Sequence, residues 1–438
     1  MFPADQRKAY LQDLKANGTR EPGKFPFTYK NNPRFEGDIH KVKLDHLIFN
    51  QFNTRIFTEL KTYQSNALGE VHEYDEALED KIKDILWAQG GINQLTLDDL
   101  RERGQIIPGV VTADGVIVSG NRRAMLLLKA GVEEFKAVIL DESYDGNRKL
   151  IDMLEASLQN DDVGQQEYSA TAKQQAVWNF YENHKLDWPE ILPLMGHGET
   201  IPKIKMYYEE YILMLDYLVT IGTPNILTNL RIRGEKGTKE EAFRETNKNY
   251  KRMIGNNANL GLDWAYDEDD ADKYKEIMYD YIRAYNLGAP ANFRKIGPGA
   301  SNKKGILSNE DLFKEFYAKH IEITHPATQS LKDLSEYADL PECESLEPDE
   351  LANRRESDWT EEVSDKMLRN FDEFVAKVEA LAREKEPAER IRKALELLEG
   401  LGPLENLKDS ENPALVKDQV NEIDNIIRDI KNIFINNV

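Results

Sequence analysis

Gly120, Asn121, Arg122 and Arg123 put a helix-opening glycine directly before two guanidinium groups, at the end of the apolar run 116–119. A helix starting there aims free backbone N–H groups, the positive end of its dipole and the guanidinium groups at one place, which suits a phosphate. Two arginines at a helix N-terminus oppose the dipole, and a bound anion removes that conflict. The structural alternative is that Arg122 and Arg123 pair with nearby acids such as Asp141 or Glu142. Upstream, Gly104-Gln105 stands at the mouth of the preceding strand, and Asp114-Gly115 reads as a hairpin turn between two strands.

The elements that must hold this box alternate. Strand signals, rich in Val and Ile and bounded by Gly and Asp, fall at 41–49, 106–111, 115–119 and 136–140. Helical signals fall at 76–88, 96–104 and 121–131, the last ending on Gly131. A small α+β domain over 41–147 follows from that alternation. Residues 1–40, broken by Pro3, Pro22, Pro26 and Pro33, read as an arm lying on another surface or partly mobile.

Beyond residue 148 the pattern turns helical. A helical domain spans 148–220, with helices at 148–160, 169–184 and 200–218, and a short helix and glycine turn over 187–198 that together are similar to a helix-turn-helix. A helical domain with basic loops follows at 221–336, then an acidic linker at 337–360 and a C-terminal helical module at 361–438. In that module Val420, Ile423, Ile427, Ile430 and Phe434 alternate by three and four residues, the pattern of a core or an oligomer seam.

Composition limits the partners. The chain has 438 residues and a net charge of −22, which argues against bulk electrostatic attachment to nucleic acid or to an anionic membrane. Charge is uneven: residues 231–260 sum to about +4 and residues 331–438 to about −13. A nucleic-acid contact must therefore be local, and Lys203, Lys205, Arg231 and Arg233 are the candidates, each read more simply as part of a solvated face. The acidic helices at the C-terminus suit a protein partner or a second copy. Asp267, Glu268, Asp269 and Asp270 read as a helix start or an acidic turn and not a metal site, because the glycine and spaced glutamate of a calcium loop are missing. The lone Cys343 points to a reducing compartment, and neither a secretory leader nor a membrane span is read, so a cytoplasmic protein without membrane contact is expected.

Residues 104–112 followed by 116–140 resemble the N-terminal domain of ParB-type chromosome-segregation proteins and the wider ParB/sulfiredoxin superfamily. There a Gly-Gln-x-x-Pro segment leads into a strand and a Gly-x-Arg-Arg box opens a helix. Residues 41–55 are similar to the family's opening strand and the Asn-containing turn after it, here ending on Arg55. Residues 155–182 are similar to the helix of its third box and the one following, and the resemblance extends over about 41–220. It implies an α+β fold: a small ParB/sulfiredoxin-like mixed domain followed by mostly α-helical domains.

The resemblance also implies chemistry. Gly104 and Gln105 would approach a nucleotide, Gly120 to Arg123 would hold its triphosphate, and Arg55 would join them. The third box lacks the family's Asn-Arg part, reading Glu155-Ala156-Ser157-Leu158-Gln159-Asn160. Asn121 stands where sulfiredoxins carry their catalytic cysteine, which excludes sulfinic-acid reduction through this box. The leading expectation is a protein that binds ATP or CTP with Mg²⁺ and hydrolyses it slowly, with Glu155 as the general base, switching association with DNA, a protein partner or itself. A non-enzymatic DNA-binding regulator, a nuclease and a small-molecule kinase remain the alternatives.

Overall fold

The computed structural model describes residues 2–30, 32–65, 75–90, 93–161, 170–231, 239–254, 264–284, 291–300, 303–401 and 412–435. Two compact units divide the chain, Met1–Asp372 and Glu373–Val438.

The first unit opens with α1 (Ala4–Asn17), β1 (Arg20–Tyr29), β2 (Asn32–Lys43), β3 (Ile48–Phe49), α2 (Phe57–Gln64), α3 (Glu76–Ala88) and α4 (Asn93–Arg103). It continues with β4 (Gly109–Val111), β5 (Val116–Ser119), α5 (Asn121–Lys129) and β6 (Glu134–Ile139). These strands form a mixed six-stranded sheet in the order β1-β2-β6-β4-β5-β3. The β6–β4 and β5–β3 pairs are parallel, the others antiparallel. Side chains of a strand alternate between faces, and both faces are buried here. Val111, Ile117, Ala137 and Ile139 join one core with Leu60, Ile82, Leu97 and Leu126 from α2, α3, α4 and α5. Val110, Val118, Val138 and Leu140 join the opposite core with Ile151, Leu154 and Leu158 of α6 (Arg148–Asp161).

The first forty residues, read as an arm lying on another surface or partly mobile, form regular elements of the first unit. They supply α1, β1 and most of β2. Pro22 and Pro26 are tolerated because β1 is the sheet's edge, while Pro33 lies near the start of β2 and Pro3 caps α1. The run at 106–111 departs from expectation in the other direction, since only Gly109–Val111 is strand while Ile106 and Ile107 are exposed in a loop.

The rest of the first unit is helical, as the mixed α+β reading with a helical remainder requires. It holds α7 (Ala170–Trp178), α8 (Trp188–Ile191), α9 (Ile201–Thr220), α10 (Glu240–Ile254), α11 (Glu268–Arg283), α12 (Ala291–Ile296), a two-stranded ribbon of β7 (Gly299–Ala300) and β8 (Lys303–Lys304), α13 (Glu310–Ser330) and α14 (Leu334–Ala338). Capping fixes several starts: Asp187 and Glu190 form a reciprocal capping box on α8, and Thr200 caps α9, with Pro202 in its first turn. α15 (Pro348–Glu399) starts inside the stretch read as an acidic linker, and there Cys343, Leu351, Ala352 and Trp359 are buried. Glu356 of α15 accepts hydrogen bonds from Arg283 and, at 2.6 Å, from Arg355, while the Arg283 guanidinium lies 4.1 Å from the Trp359 ring centre. Two buried arginines share one buried carboxylate, which ties α11 to α15.

The second unit contains the end of α15 and α16 (Pro413–Ile435). No described side chain from Glu379 onward is buried. No described helix is long and apolar enough to cross a membrane.

Candidate phosphate-binding site at the glycine–arginine box

Gly120 caps α5 from a left-handed conformation, φ +100°, and a Cβ there would lie 2.8 Å from Cζ of the buried Phe135. The left-handed turn it makes opens α5, and Gly120 offers no side-chain cap bond to that helix start. Asn121 then turns inward. Its Nδ2 donates to the Ile117 carbonyl at 2.9 Å, and its Oδ1 accepts from the Asn50 backbone N–H at 3.0 Å. Asn50 in turn donates from Nδ2 to Glu155 Oε2 at 3.3 Å. A buried chain of polar groups thus joins the turn after β3, the box and α6.

The two arginines divide their work. Arg123 donates from Nη1 to the Ile107 carbonyl at 2.9 Å and so holds the loop before β4. Arg122 donates from Nε to Asn93 Oδ1, while its buried Nη2 has no hydrogen-bond partner. Neither pairs with Asp141 or Glu142, the acids that the structural alternative named: Asp141 takes Lys15 at 2.6 Å, and Glu142 takes Tyr29 and Lys30. Burial, then the neighbouring Arg55, pulls the Arg122 guanidinium below its usual pKa, though an arginine stays cationic.

Glu155 is 3% exposed, and its Oε1 has no hydrogen-bond partner. Burial first, then Asp152, raises its pKa well above the ordinary carboxylate range, against the Thr54 backbone and Arg55, which act the other way. Arg55 therefore acts electrostatically on both Arg122 and Glu155, and three of the residues singled out in the sequence share one neighbourhood. A buried donor and a buried carboxyl oxygen without partners are each costly unless a ligand or water completes them.

Gly104 and Gln105 take a different part. Gly104 has φ +71°, and nothing lies within 4 Å of where its Cβ would be. The Gln105 amide is engaged at both ends, donating to the carbonyls of Ile107 at 3.0 Å and Lys136 at 2.8 Å and accepting from the Lys136 N–H at 2.7 Å. It pins the loop to β6, which explains why Ile106 and Ile107 do not extend the strand.

Sequence reasoning missed several neighbours. Phe52 stacks on Tyr144 with ring centres 5.5 Å apart, the Arg148 guanidinium sits 3.8 Å from the Phe52 ring centre, and Lys61 lies 5.9 Å from it. Burial and then Arg148 lower the Lys61 pKa. Asp152 accepts from Tyr144 at 3.0 Å and lies 2.8 Å from His184 Nε2. The Asn-containing turn 50–55 was the signal for Asn50, but nothing in spacing alone marked Arg148 or Lys61.

The weaker nucleic-acid candidates are scattered. Lys203 pairs with Glu199 at 3.0 Å, and Lys205 lies 5.6 Å from the Trp188 ring centre. Arg231 is tied to Glu59 at 2.9 Å, and Arg233 lies outside the described residues. Asp267, Asp269 and Asp270 bring carboxylate oxygens within 4.8 Å of one another, and Asp267 caps α11 in a reciprocal box with Asp270, the helix start that was expected.

Sheet and capping glycine define a mixed α+β domain in which two arginines stand on the first turn of α5. No family model and no curated protein matches the chain. Among solved structures, the chain is similar to the C-terminally truncated chromosome-partitioning protein ParB from Caulobacter crescentus complexed with CTP-γ-S, at 14% identity over 51% of this chain and 97% of that one, with a TM-score of 0.17. It is also similar to a Pnob8-like ParB-N domain, at 14% identity over 65% of this chain and 96% of that one, with a TM-score of 0.26. Both carry the family name that the glycine–arginine box resembles.

Proposed function

We propose that the chain binds a nucleoside triphosphate, ATP or CTP, with its phosphates at the start of α5. The observation that carries this reading is the buried Nη2 of Arg122, which has no hydrogen-bond partner, on the first turn of a helix whose Gly120 cap makes no side-chain cap bond. Arg55, Arg148 and Lys61 add positive charge around the same turn. Mg²⁺ would arrive with the phosphates, since a nucleotide-bound Mg²⁺ needs only one or two carboxylates from the protein.

Slow hydrolysis fits the same site. Glu155, held by Asn50 Nδ2, is the candidate general base; because burial raises its pKa it must lose its proton before it can accept one, so hydrolysis is expected to rise with pH. Arg122 and the helix N-terminus would stabilise charge developing on the phosphates. The bound state would switch association with DNA, a protein partner or a second copy, for which the exposed apolar stripe of α16 is the favoured surface.

Isothermal titration of the full chain with ATP, CTP, GTP and ADP plus Mg²⁺ tests this. Saturable binding of one triphosphate is expected, weakened by about 10- to 100-fold in Arg122→Ala, the loss of one charge-assisted hydrogen-bonding group. Arg122 is the sharper probe than Arg123, whose guanidinium holds the loop. Absence of binding to every nucleotide sinks the reading; a steep salt dependence of DNA binding would then favour the regulator alternative.

A further inference from the structure

We propose that Glu59 and Arg231 are positioning residues for Arg55, through which the helical part of the first unit sets the ligand-facing turn; the proposal rests on the nucleotide reading above. Arg55 precedes α2, and Glu59 lies one helical turn further on. Gln89 Nε2 donates to the Arg55 carbonyl at 2.7 Å and to Glu59 Oε1 at 3.1 Å. Arg231 Nη1 donates to the same Oε1 at 2.9 Å. At the other end of α2 the Thr228 N–H donates to Thr62 Oγ1 at 3.1 Å. The segment 228–231 therefore grips α2 at both ends.

That segment is itself immobilised. Ile226 and Leu230 are buried, and Ile226 packs with Leu334, Tyr337, Cys343 and Leu351. Shifting α2, and the turn that presents Arg55 to Arg122 and Glu155, requires breaking the Glu59–Arg231 pair or moving part of the helical core. The pair is partly shielded, its side chains 20% and 35% exposed, so it is less screened than an open surface pair. Arg231, a residue whose type alone suggested nucleic acid, is committed within the chain.

Two measurements on the full-length protein test this. The first is hydrogen exchange of amides 50–56 without ligand, in wild type, Arg231→Ala, Arg231→Lys and the near-isosteric Glu59→Gln. Faster exchange there in Arg231→Ala and Glu59→Gln, with β4 and β5 unchanged and Arg231→Lys intermediate, is expected; unchanged exchange at 50–56 overturns the proposal whether or not nucleotide binds. The second is titration with Mg²⁺–ATP and Mg²⁺–CTP. Arg231→Ala should weaken binding by about fivefold, and the loss should vanish in an Arg55→Ala background, as it must if Arg231 acts through Arg55. Equal losses in both backgrounds overturn the positioning role. Wild-type protein that binds neither nucleotide sinks the functional reading instead, and the exchange result then decides whether 228–231 holds the turn.

Discussion

Glu155 is buried where its charge is least welcome, and that makes it a reporter of pH. Its pKa in the folded protein is raised, so the folded state holds a proton that the unfolded chain gives up in the ordinary carboxylate range. Stability from this group is complete below that range and is lost as pH rises through the folded pKa. Glu155→Gln keeps an acceptor for Asn50 and removes the titration. Denaturant melts across that window should fall less steeply with pH in the variant, and an unchanged slope would show that Glu155 is ionised in the folded protein. Glu79 and Glu210 are shifted the same way by burial and leave a residual slope. At this scale the sequence was a good guide to which residues gather and a poor one to what each does. Asn121 and Glu155 are joined through Asn50, yet Gln105 and Arg123 spend their polar groups on holding a loop, because a side-chain amide or guanidinium is satisfied by whichever backbone carbonyl the tertiary fold brings near.

The start of α5 and the end of α4 each turn on a glycine with positive φ, and the two differ in surroundings. At Gly120 an added Cβ meets the Phe135 ring at 2.8 Å, whereas at Gly104 it meets open space. Gly120→Ala should therefore cost about 2–4 kcal/mol, backbone strain plus overpacking, against about 1 kcal/mol for Gly104→Ala from strain alone. Urea unfolding of the two variants checks the ranking; equal losses would mean that Phe135 yields at no cost. The helices and β5 were readable because their caps and periodicities are local. The edge strand β1 was not, because its prolines are tolerated only by virtue of a position in the sheet that no local window reveals. Likewise the acidic stretch 337–360 looked like linker because its buried residues are few, and Trp359 finds its partner Arg283 far away along the chain.

Among the described residues of the second unit, α16 carries an exposed apolar stripe. Val416, Val420, Ile423, Ile427 and Ile430 follow the heptad spacing, and Val420 and Ile427 are 50% and 39% exposed. Self-association through this helix should show as a concentration-dependent mass in sedimentation equilibrium, abolished by Val420→Glu with Ile427→Glu; a monomer at every concentration would assign the stripe to a different partner. Nucleotide binding should survive those substitutions, since the site lies wholly in the first unit. The site draws on distant parts of that unit, and its clamp closes across 172 positions between Glu59 and Arg231. On a ribosome adding residues at about 5–20 per second, Glu59 waits roughly ten to thirty seconds before its partner is even made. β6, which completes the sheet, ends only at Ile139, so between its emergence and that of Arg231 the box has its scaffold while the Glu59 clamp beside the turn carrying Arg55 is still open.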